Sequence, residues 1–288
     1  MKFTKATPLK RGTSGARTLF AEDDTGKHFF VKVIPAKEDG NKDAAAAYEF
    51  KIMRTLYENG IPTPKPICNL HDEGRIFFVY EWIEGINLDT VLKKLPKPKR
   101  YTCGLETGKL LRKIHSTPIE IKGPIFSSTF KDMRNSVLEP ENLEIISNYQ
   151  GADRLINYLE KHSDIEIEGN VETAYHGDFG PFNILFADEK LYVIDAKYYG
   201  RGVDPMWDMY NTCIFGVVHP EYYNGWYHGY FGRNPSAEAW QKLTYFGVLR
   251  LFSKTIKENT PEYQKAFNAF NYSFDNMKKT VPKWYRRK

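Results

Sequence analysis

A short loop in the second half of the chain carries the residue types that phosphoryl transfer needs. It runs from His176 to Asn183 and places a carboxylate, Asp178, five residues before the amide of Asn183. Glycine and proline between them predict a rigid loop that directs both side chains to one place. A second carboxylate, Asp195, follows the apolar run 191–194, where a charged group gains nothing from packing.

Phosphoryl transfer gives each of these side chains a task. One carboxylate must orient the acceptor hydroxyl and receive its proton, and we expect Asp178 to do so. A second carboxylate and an amide oxygen must hold Mg²⁺ against the phosphates of a nucleotide. We expect Asp195 and Asn183 to be these metal ligands.

The loop also carries a family resemblance. Asp178 and Asn183 have the spacing of the protein-kinase catalytic loop, with Gly177 in place of the kinase arginine. The pattern His-Gly-Asp-x-x-x-x-Asn resembles the aminoglycoside phosphotransferase family, whose members phosphorylate small molecules on a protein-kinase-like fold. The segment Asp204-Pro205-Met206-Trp207-Asp208 is similar to a later element of that family and implies that Asp208 braces the catalytic loop.

The resemblance extends to the phosphate-binding residues. Lys32 lies in an apolar run like the lysine of the third kinase strand, and Glu49 lies in the helical segment that follows. This implies an ion pair in which Glu49 aims the amine of Lys32 at the α- and β-phosphates. Ser14 and Gly15 lie in a short glycine-containing loop whose backbone N–H groups are expected to meet phosphates.

A further match concerns the purine. Residues 80–85 resemble the hinge that meets adenine in this family, which implies that the backbone of Glu81 and Ile83 binds the base. ATP and GTP both remain open as the phosphate donor.

Two departures bear on the alternatives. Ala196 and Lys197 follow Asp195 where a protein kinase has Phe-Gly, and only eight residues separate Asp195 from Asp204. Such a short segment leaves too little chain for an activation loop and disfavours a protein kinase. A non-catalytic nucleotide-binding module is disfavoured because the lysine, both aspartates and the asparagine of the resemblance are all present.

The surrounding pattern predicts an α+β, protein-kinase-like, two-lobed fold. Apolar and β-branched runs at 29–34 and 76–82 predict strands, and residues 43–59 predict a helix between them. After Gly85 the pattern turns mainly helical, with two helices expected within 127–162. We therefore predict a nucleotide-binding lobe at 1–84 and a catalytic, acceptor-binding lobe at 85–288.

Composition narrows the class of protein. Hydrophobic residues make up 41% and charged residues 27% of the 288 residues, as in a soluble globular protein. The longest apolar run is too short for a membrane span, and no export signal is apparent, so no membrane association is expected. Three scattered cysteines without a CxxC pair predict no disulfide frame and favour the cytoplasm.

The charge is concentrated at one end. The net charge is +5, yet residues 278–288 contain six basic side chains, so the rest of the chain is nearly neutral. We interpret this segment as a solvated, frayed end. Neither a nucleic acid nor an obligate protein partner is expected.

The acceptor is the least determined part. Nine aromatic residues within 207–231 lie among acidic side chains, and aromatic faces and carboxylates both attract cations. We therefore expect a small cationic acceptor, such as an aminoglycoside, near Glu221 and Trp226. Packing of these aromatics in a core is an alternative, and a choline-type or sugar-type alcohol is an alternative acceptor.

Overall fold

The structure is a computed structural model and describes residues 2–9, 16–35, 41–72, 74–167, 169–274 and 281–288. Ser14 and Gly15 lie outside the described residues.

The chain forms two compact units. Unit 1 comprises Met1–Val91 and Pro181–Tyr198, and unit 2 comprises Leu92–Gly180 and Tyr199–Lys288. This division and the sequence-based cut after residue 84 assign residues 85–91 and 181–198 differently.

Unit 1 is built on a five-stranded antiparallel sheet with the order β1-β2-β3-β5-β4. Its elements are β1 (Phe3–Pro8), β2 (Arg17–Asp23), β3 (His28–Pro35), α1 (Asn41–Glu58), β4 (Pro66–Asp72) and β5 (Arg75–Glu81). The expected strands at 29–34 and 76–82 are thus the two central strands, and the expected helix is α1.

Side chains alternate between the two faces of this sheet along β3 and β5, so each face carries a different set of residues. Val31, Val33 and Val79 lie in an apolar cluster on one face. Because successive side chains point to opposite faces, Lys32 and Phe78 lie on the other face, where α1 packs. The ring of Phe50 in α1 lies 5.5 Å from that of Phe78. The sheet therefore presents Lys32 on the face where α1 packs.

A second, three-stranded sheet completes unit 1. It consists of β6 (Ile86–Asn87), β7 (Ile184–Ala187) and β8 (Lys190–Val193), all antiparallel. Asp188 and Glu189 join β7 to β8 with positive φ values of 47° and 58°, as expected for a tight hairpin turn. A 3₁₀ turn, Pro181–Asn183, leads into β7.

Unit 2 is helical, as the sequence predicts. Its helices are α3 (Lys97–Ile114), α4 (Phe126–Val137), α5 (Pro140–Ser147), α6 (Ala152–Lys161), α7 (Thr212–Phe215), α8 (Pro220–Phe231), α9 (Ala237–Glu258) and α10 (Tyr263–Ser273), while α2 (Leu88–Leu92) lies at the unit boundary. The expectation of two helices within 127–162 is wrong, because Pro140 starts an additional helix there.

Helices α3 and α8 pack at unusually short range. Gly104 and Gly108 of α3 face α8, and Gly225 and Gly229 of α8 face α3. A Cβ atom at any of these four positions would collide with backbone atoms of the other helix. The glycines therefore permit a backbone contact that fixes how α8 sits on α3.

The basic end of the chain is anchored, contrary to the expectation of a frayed tail. Trp284 and Tyr285 are buried, and Asn224 of α8 donates to the Trp284 carbonyl at 3.1 Å. His228 of α8 contacts the Arg286 carbonyl at 3.0 Å. The expectation followed the charges, but two aromatic side chains between them supply the apolar contacts that hold residues 281–288 in place.

No helix among the described residues is both long enough and apolar enough to cross a membrane.

Candidate active site

The predicted lysine of unit 1 lies at the centre of a charged cluster. The Lys32 ammonium contacts the Asp195 Oδ1 atom at 2.7 Å and the Glu49 Oε2 atom at 3.6 Å. The Lys32 side chain is only 10% exposed, so these contacts replace most of its hydration. The structure thus brings Lys32, Glu49 and Asp195 together, with Asp195 nearer to the lysine than Glu49.

Asp195 has a second cationic partner. Lys197 contacts the same oxygen, Oδ1, at 2.9 Å. Burial would raise the pKa of Asp195, but Lys32 and Lys197 outweigh it and hold that pKa at about 2. Asp195 therefore carries a full negative charge at neutral pH. The pKa of Lys197 is raised, because the charge of Asp195 outweighs its own burial.

The backbone of Asp195 is strained. Its φ of 62° lies in the left-handed region, which residues other than glycine rarely adopt. Ile194, the preceding residue, donates its N–H to the Asn183 carbonyl at 3.0 Å. This bond places the two predicted metal ligands on neighbouring segments of unit 1. Strain of this kind is concentrated at functional sites.

The predicted purine-binding segment borders an apolar cavity of about 270 Å³ in unit 1. Apolar side chains from the sheet, from α1 and from β7 form most of its wall, and Lys32, Glu49, Asn183 and Asp195 lie on its lining as well. One opening of unit 1 therefore has an apolar wall next to the charged cluster.

Backbone bonds hold the segment that follows β5. The Trp82 N–H donates to the His28 carbonyl at 3.1 Å, and the Glu81 N–H donates to the Lys65 carbonyl at 2.9 Å. Successive residues of an extended chain direct their backbone groups to opposite sides. Glu81 consequently directs its groups away from β3, and both Glu81 and Ile83 line the cavity.

Unit 2 holds the predicted catalytic carboxylate. Asp178 is half-buried, and the hydroxyl of Tyr210 donates to its Oδ1 atom at 2.8 Å. The charge of Asp178 and burial both raise the pKa of Tyr210, with burial the larger cause, so the hydroxyl keeps its proton. Asp178 is three residues before the chain enters unit 1 at Pro181.

A buried carboxylate holds the backbone of the loop around Asp178. Asp208 is fully buried and accepts from the N–H groups of His176 at 2.7 Å and Gly177 at 2.5 Å. His115, the residue that follows α3, contacts the Asp208 Oδ2 atom at 3.0 Å and the hydroxyl of Tyr230 at 2.8 Å. The bracing that the resemblance implies for Asp208 is confirmed, and it ties the loop to α3 and α8.

The predicted acceptor segment has another role. Trp226 is completely buried and lies edge-on against Phe179 of the catalytic loop, with ring centroids 5.3 Å apart. Glu221 pairs instead with Lys97 at 3.4 Å, and this lysine is 77% exposed. The expectation that Trp226 meets an acceptor is wrong, because the helical spacing of these aromatics belongs to a core. The buried aromatics of α8 are Tyr222, Tyr223, Trp226 and Tyr227.

Sequence reasoning missed several groups of the site. Tyr210 and His115 belong to the site through tertiary contacts, which no local sequence pattern predicts. Lys197 was visible only as a departure from the kinase pattern after Asp195. A basic residue two positions after a predicted metal ligand is the signal that could have included it.

Comparison with known proteins agrees with this fold. Residues 5–244 match the phosphotransferase enzyme family, APH, and this match covers most of the chain. The chain therefore belongs to that family, and the prediction of an enzyme that transfers phosphate to hydroxyl acceptors is confirmed.

Solved structures show the same protein-kinase-like fold. Spectinomycin phosphotransferase APH(9)-Ia, in complex with ADP and spectinomycin, superposes with a TM-score of 0.64 at 19% identity, covering 96% of this chain and 91% of that one. The gentamicin complex of APH(2")-IIa superposes with a TM-score of 0.62 at 18% identity, covering 96% of this chain and 94% of that one. A choline/ethanolamine kinase family protein from Mesorhizobium loti superposes with a TM-score of 0.53 at 18% identity, covering 93% of both chains.

A human protein is also similar over part of the chain. Acyl-CoA dehydrogenase family member 11 from Homo sapiens is 27% identical over 154 residues, which are 51% of this chain. The match spans only 20% of the human protein, so it concerns one part of that protein.

Proposed function

We propose that this chain transfers the γ-phosphoryl group of ATP or GTP to a hydroxyl group of a small molecule. The observation that carries the proposal is the contact between Lys32 and Asp195. These residues are 163 positions apart in sequence, yet they meet at 2.7 Å beside an apolar cavity. A phosphate-binding cation, an ionised carboxylate and an apolar wall are together what a metal–nucleotide complex requires.

Each residue of unit 1 then has a role. The apolar wall takes the purine, and the carbonyl of Glu81 and the N–H of Ile83 hydrogen-bond its edge. Lys32, which Glu49 holds, binds the α- and β-phosphates. Ser14 and Gly15 stay in the proposal as donors of backbone N–H groups to the phosphates.

Asp195 and Asn183 fit a magnesium ion. Mg²⁺ prefers hard oxygen ligands and usually takes only one or two from the protein, with phosphates and water completing the shell. Asp195 is ionised, and the Ile194–Asn183 backbone bond fixes it near the amide of Asn183. The ion would neutralise charge on the phosphates.

Asp178 is the proposed catalytic carboxylate. In this role it accepts a hydrogen bond from the acceptor hydroxyl and orients the oxygen for attack. It takes up the proton as the bond from that oxygen to the γ-phosphorus forms and the bond from the phosphorus to the bridging oxygen breaks, so that ADP or GDP leaves. Asp208 serves this step indirectly, because its bonds to the loop N–H groups fix the backbone beside Asp178.

For the acceptor we propose a small hydroxylated molecule with amine groups, such as an aminoglycoside. Support comes from the structural neighbours, two of which were solved with spectinomycin and gentamicin. A choline-type alcohol is the second candidate, because another neighbour belongs to the choline/ethanolamine kinase family. A cytoplasmic location, with its supply of nucleoside triphosphates, is part of the proposal.

A transfer screen tests this function. Purified protein is incubated with Mg²⁺ and γ-labelled ATP or GTP against panels of aminoglycosides, amino alcohols, sugars and protein substrates. We expect label on a small-molecule hydroxyl, and about 10²–10⁴-fold slower labelling with Asp178→Asn. Label on protein substrates alone would replace the proposal with a protein kinase. Nucleotide binding without transfer to any acceptor would replace it with a non-catalytic module.

A further inference from the structure

Two side chains in unit 2, Tyr210 and Arg250, lie near the carboxylate of Asp178. Tyr210 follows the 3₁₀ turn Trp207–Met209, and Arg250 comes from the middle of α9. The guanidinium carbon of Arg250 lies 5.5 Å from the ring centroid of Tyr210 and 5.9 Å from that of Trp207. Two separate elements, the turn and α9, thus place a hydroxyl and a cation near the proposed catalytic group.

The hydroxyl of Tyr210 fixes the direction of the carboxylate. A side-chain carboxylate rotates about its terminal bond over a broad range. The 2.8 Å bond from Tyr210 holds Oδ1 at one point, and a fixed Oδ1 also sets where Oδ2 points. Catalysis by a general base depends on such placement, because the proton moves only within hydrogen-bond reach.

Arg250 in turn holds Tyr210. Its guanidinium lies over two aromatic faces, a favourable arrangement for a planar cation. Trp207 is completely buried and packs against Phe126 and Phe246, so the platform under Arg250 is rigid. The charge of Arg250 also interacts electrostatically with Asp178 and Tyr210.

We propose that Tyr210, held by Arg250, is a positioning residue that orients the Asp178 carboxylate toward the acceptor hydroxyl. This inference rests on the proposed function, because it assumes that Asp178 receives the acceptor's proton. It adds a residue, Tyr210, that lies outside the sequence motif from His176 to Asn183.

Kinetics of matched variants test the role. Tyr210→Phe removes only the hydroxyl, and we expect kcat to fall about tenfold, while the KM of the nucleotide stays within twofold of wild type. Arg250→Lys keeps the charge but loses the planar group, and we expect a smaller fall in kcat than for Arg250→Met. Tyr285→Phe is the control, since its hydroxyl also makes a 2.8 Å bond, to Asn234 near the chain end. The control should leave kcat unchanged.

A double-variant comparison separates positioning from general stability. In an Asp178→Asn background there is no carboxylate to orient, so we expect Tyr210→Phe to change the residual rate by less than twofold. A tenfold loss in both backgrounds would overturn the proposal, as would an unchanged kcat in Tyr210→Phe itself.

A spectroscopic measurement tests the contact without any activity. With isotope-labelled tyrosine rings, the Tyr210 signal is identified by its absence in Tyr210→Phe. We expect this signal to shift in Asp178→Asn, while the Tyr285 signal does not move. An unmoved Tyr210 signal would overturn the contact. A shifted signal in a protein that transfers phosphate to no acceptor would refute the proposed function, and the positioning role with it.

Discussion

The two aspartates proposed for the reaction are held in opposite ways. In unit 1, Asp195 has two ammonium groups on one oxygen, Lys32 at 2.7 Å and Lys197 at 2.9 Å. In unit 2, the bond to Asp178 at 2.8 Å comes from the neutral hydroxyl of Tyr210. The backbone beside Asp178 is fixed separately, by the buried carboxylate of Asp208.

This difference agrees with the role proposed for each carboxylate. Two lysines keep Asp195 ionised at any physiological pH, as a metal ligand must be, and they place positive charge where phosphates would bind. A hydroxyl fixes the direction of a carboxylate without neutralising its charge, and Asp178 needs that charge to take up a proton. Two ammonium groups thus hold Asp195 in unit 1, whereas a hydroxyl, apolar packing and the nearby charge of Arg250 hold Asp178 and its loop in unit 2.

The largest effect is expected from Asp178→Asn. A general base contributes about 10²–10⁴-fold to the rate, and an amide cannot take up the proton, so kcat should fall by that factor. Steady-state transfer assays measure the loss. The similar shape of asparagine should leave the fold unchanged, which thermal denaturation checks. Near-normal turnover in a correctly folded variant would remove Asp178 from the reaction.

Trp226→Ala tests whether apolar packing supports the catalytic loop. Removing a fully buried indole should lower the free energy of unfolding by about 3–5 kcal/mol, as judged from denaturant titrations. Glu221→Gln on the same helix is the control, because an exposed ion pair contributes only about 0–1 kcal/mol. If Trp226→Ala kept its stability but lost acceptor binding, the tryptophan would line the acceptor site after all.

A smaller effect on stability is expected when the pH is lowered. The pKa of Asp195 is about 2 in the folded protein, below its ordinary value of 3.8, so the ionised form stabilises the fold above about pH 4. That contribution declines as the pH falls from about 4 toward 2. The difference in melting temperature between wild type and Asp195→Asn should stay constant from pH 5 to 8 and shrink below pH 4. A difference that changes between pH 6 and 8 would contradict the two-lysine account.

The parts that the sequence predicts well are those with local patterns. Apolar and β-branched runs indicate β3 and β5, helical spacing indicates α1, and the family resemblance pairs Lys32 with Glu49. The turn at Asp188 and Glu189 marks the hairpin that leads to Asp195. The spacing of Asp178 and Asn183 is itself a local pattern.

The remaining parts depend on contacts that form only in the fold. The aromatic spacing of α8 fits a binding surface and a core equally well, and burial decides for the core at Trp226. Charge misled the interpretation of the chain end, because Trp284 and Tyr285 anchor a segment whose net charge is high. The contact between Tyr210 and Asp178 joins residues 32 positions apart and has no local signature.

Titration of Mg²⁺–nucleotide into two variants tests the central comparison most directly. Calorimetry should show that Asp178→Asn binds the complex within twofold of wild type, because its carboxylate serves the acceptor. Asp195→Asn should bind it about tenfold more weakly, since Mg²⁺ prefers a hard anionic oxygen to an amide. The assignment of the metal to Asp195 and of the proton to Asp178 would be contradicted if Asp195→Asn bound normally while Asp178→Asn lost affinity.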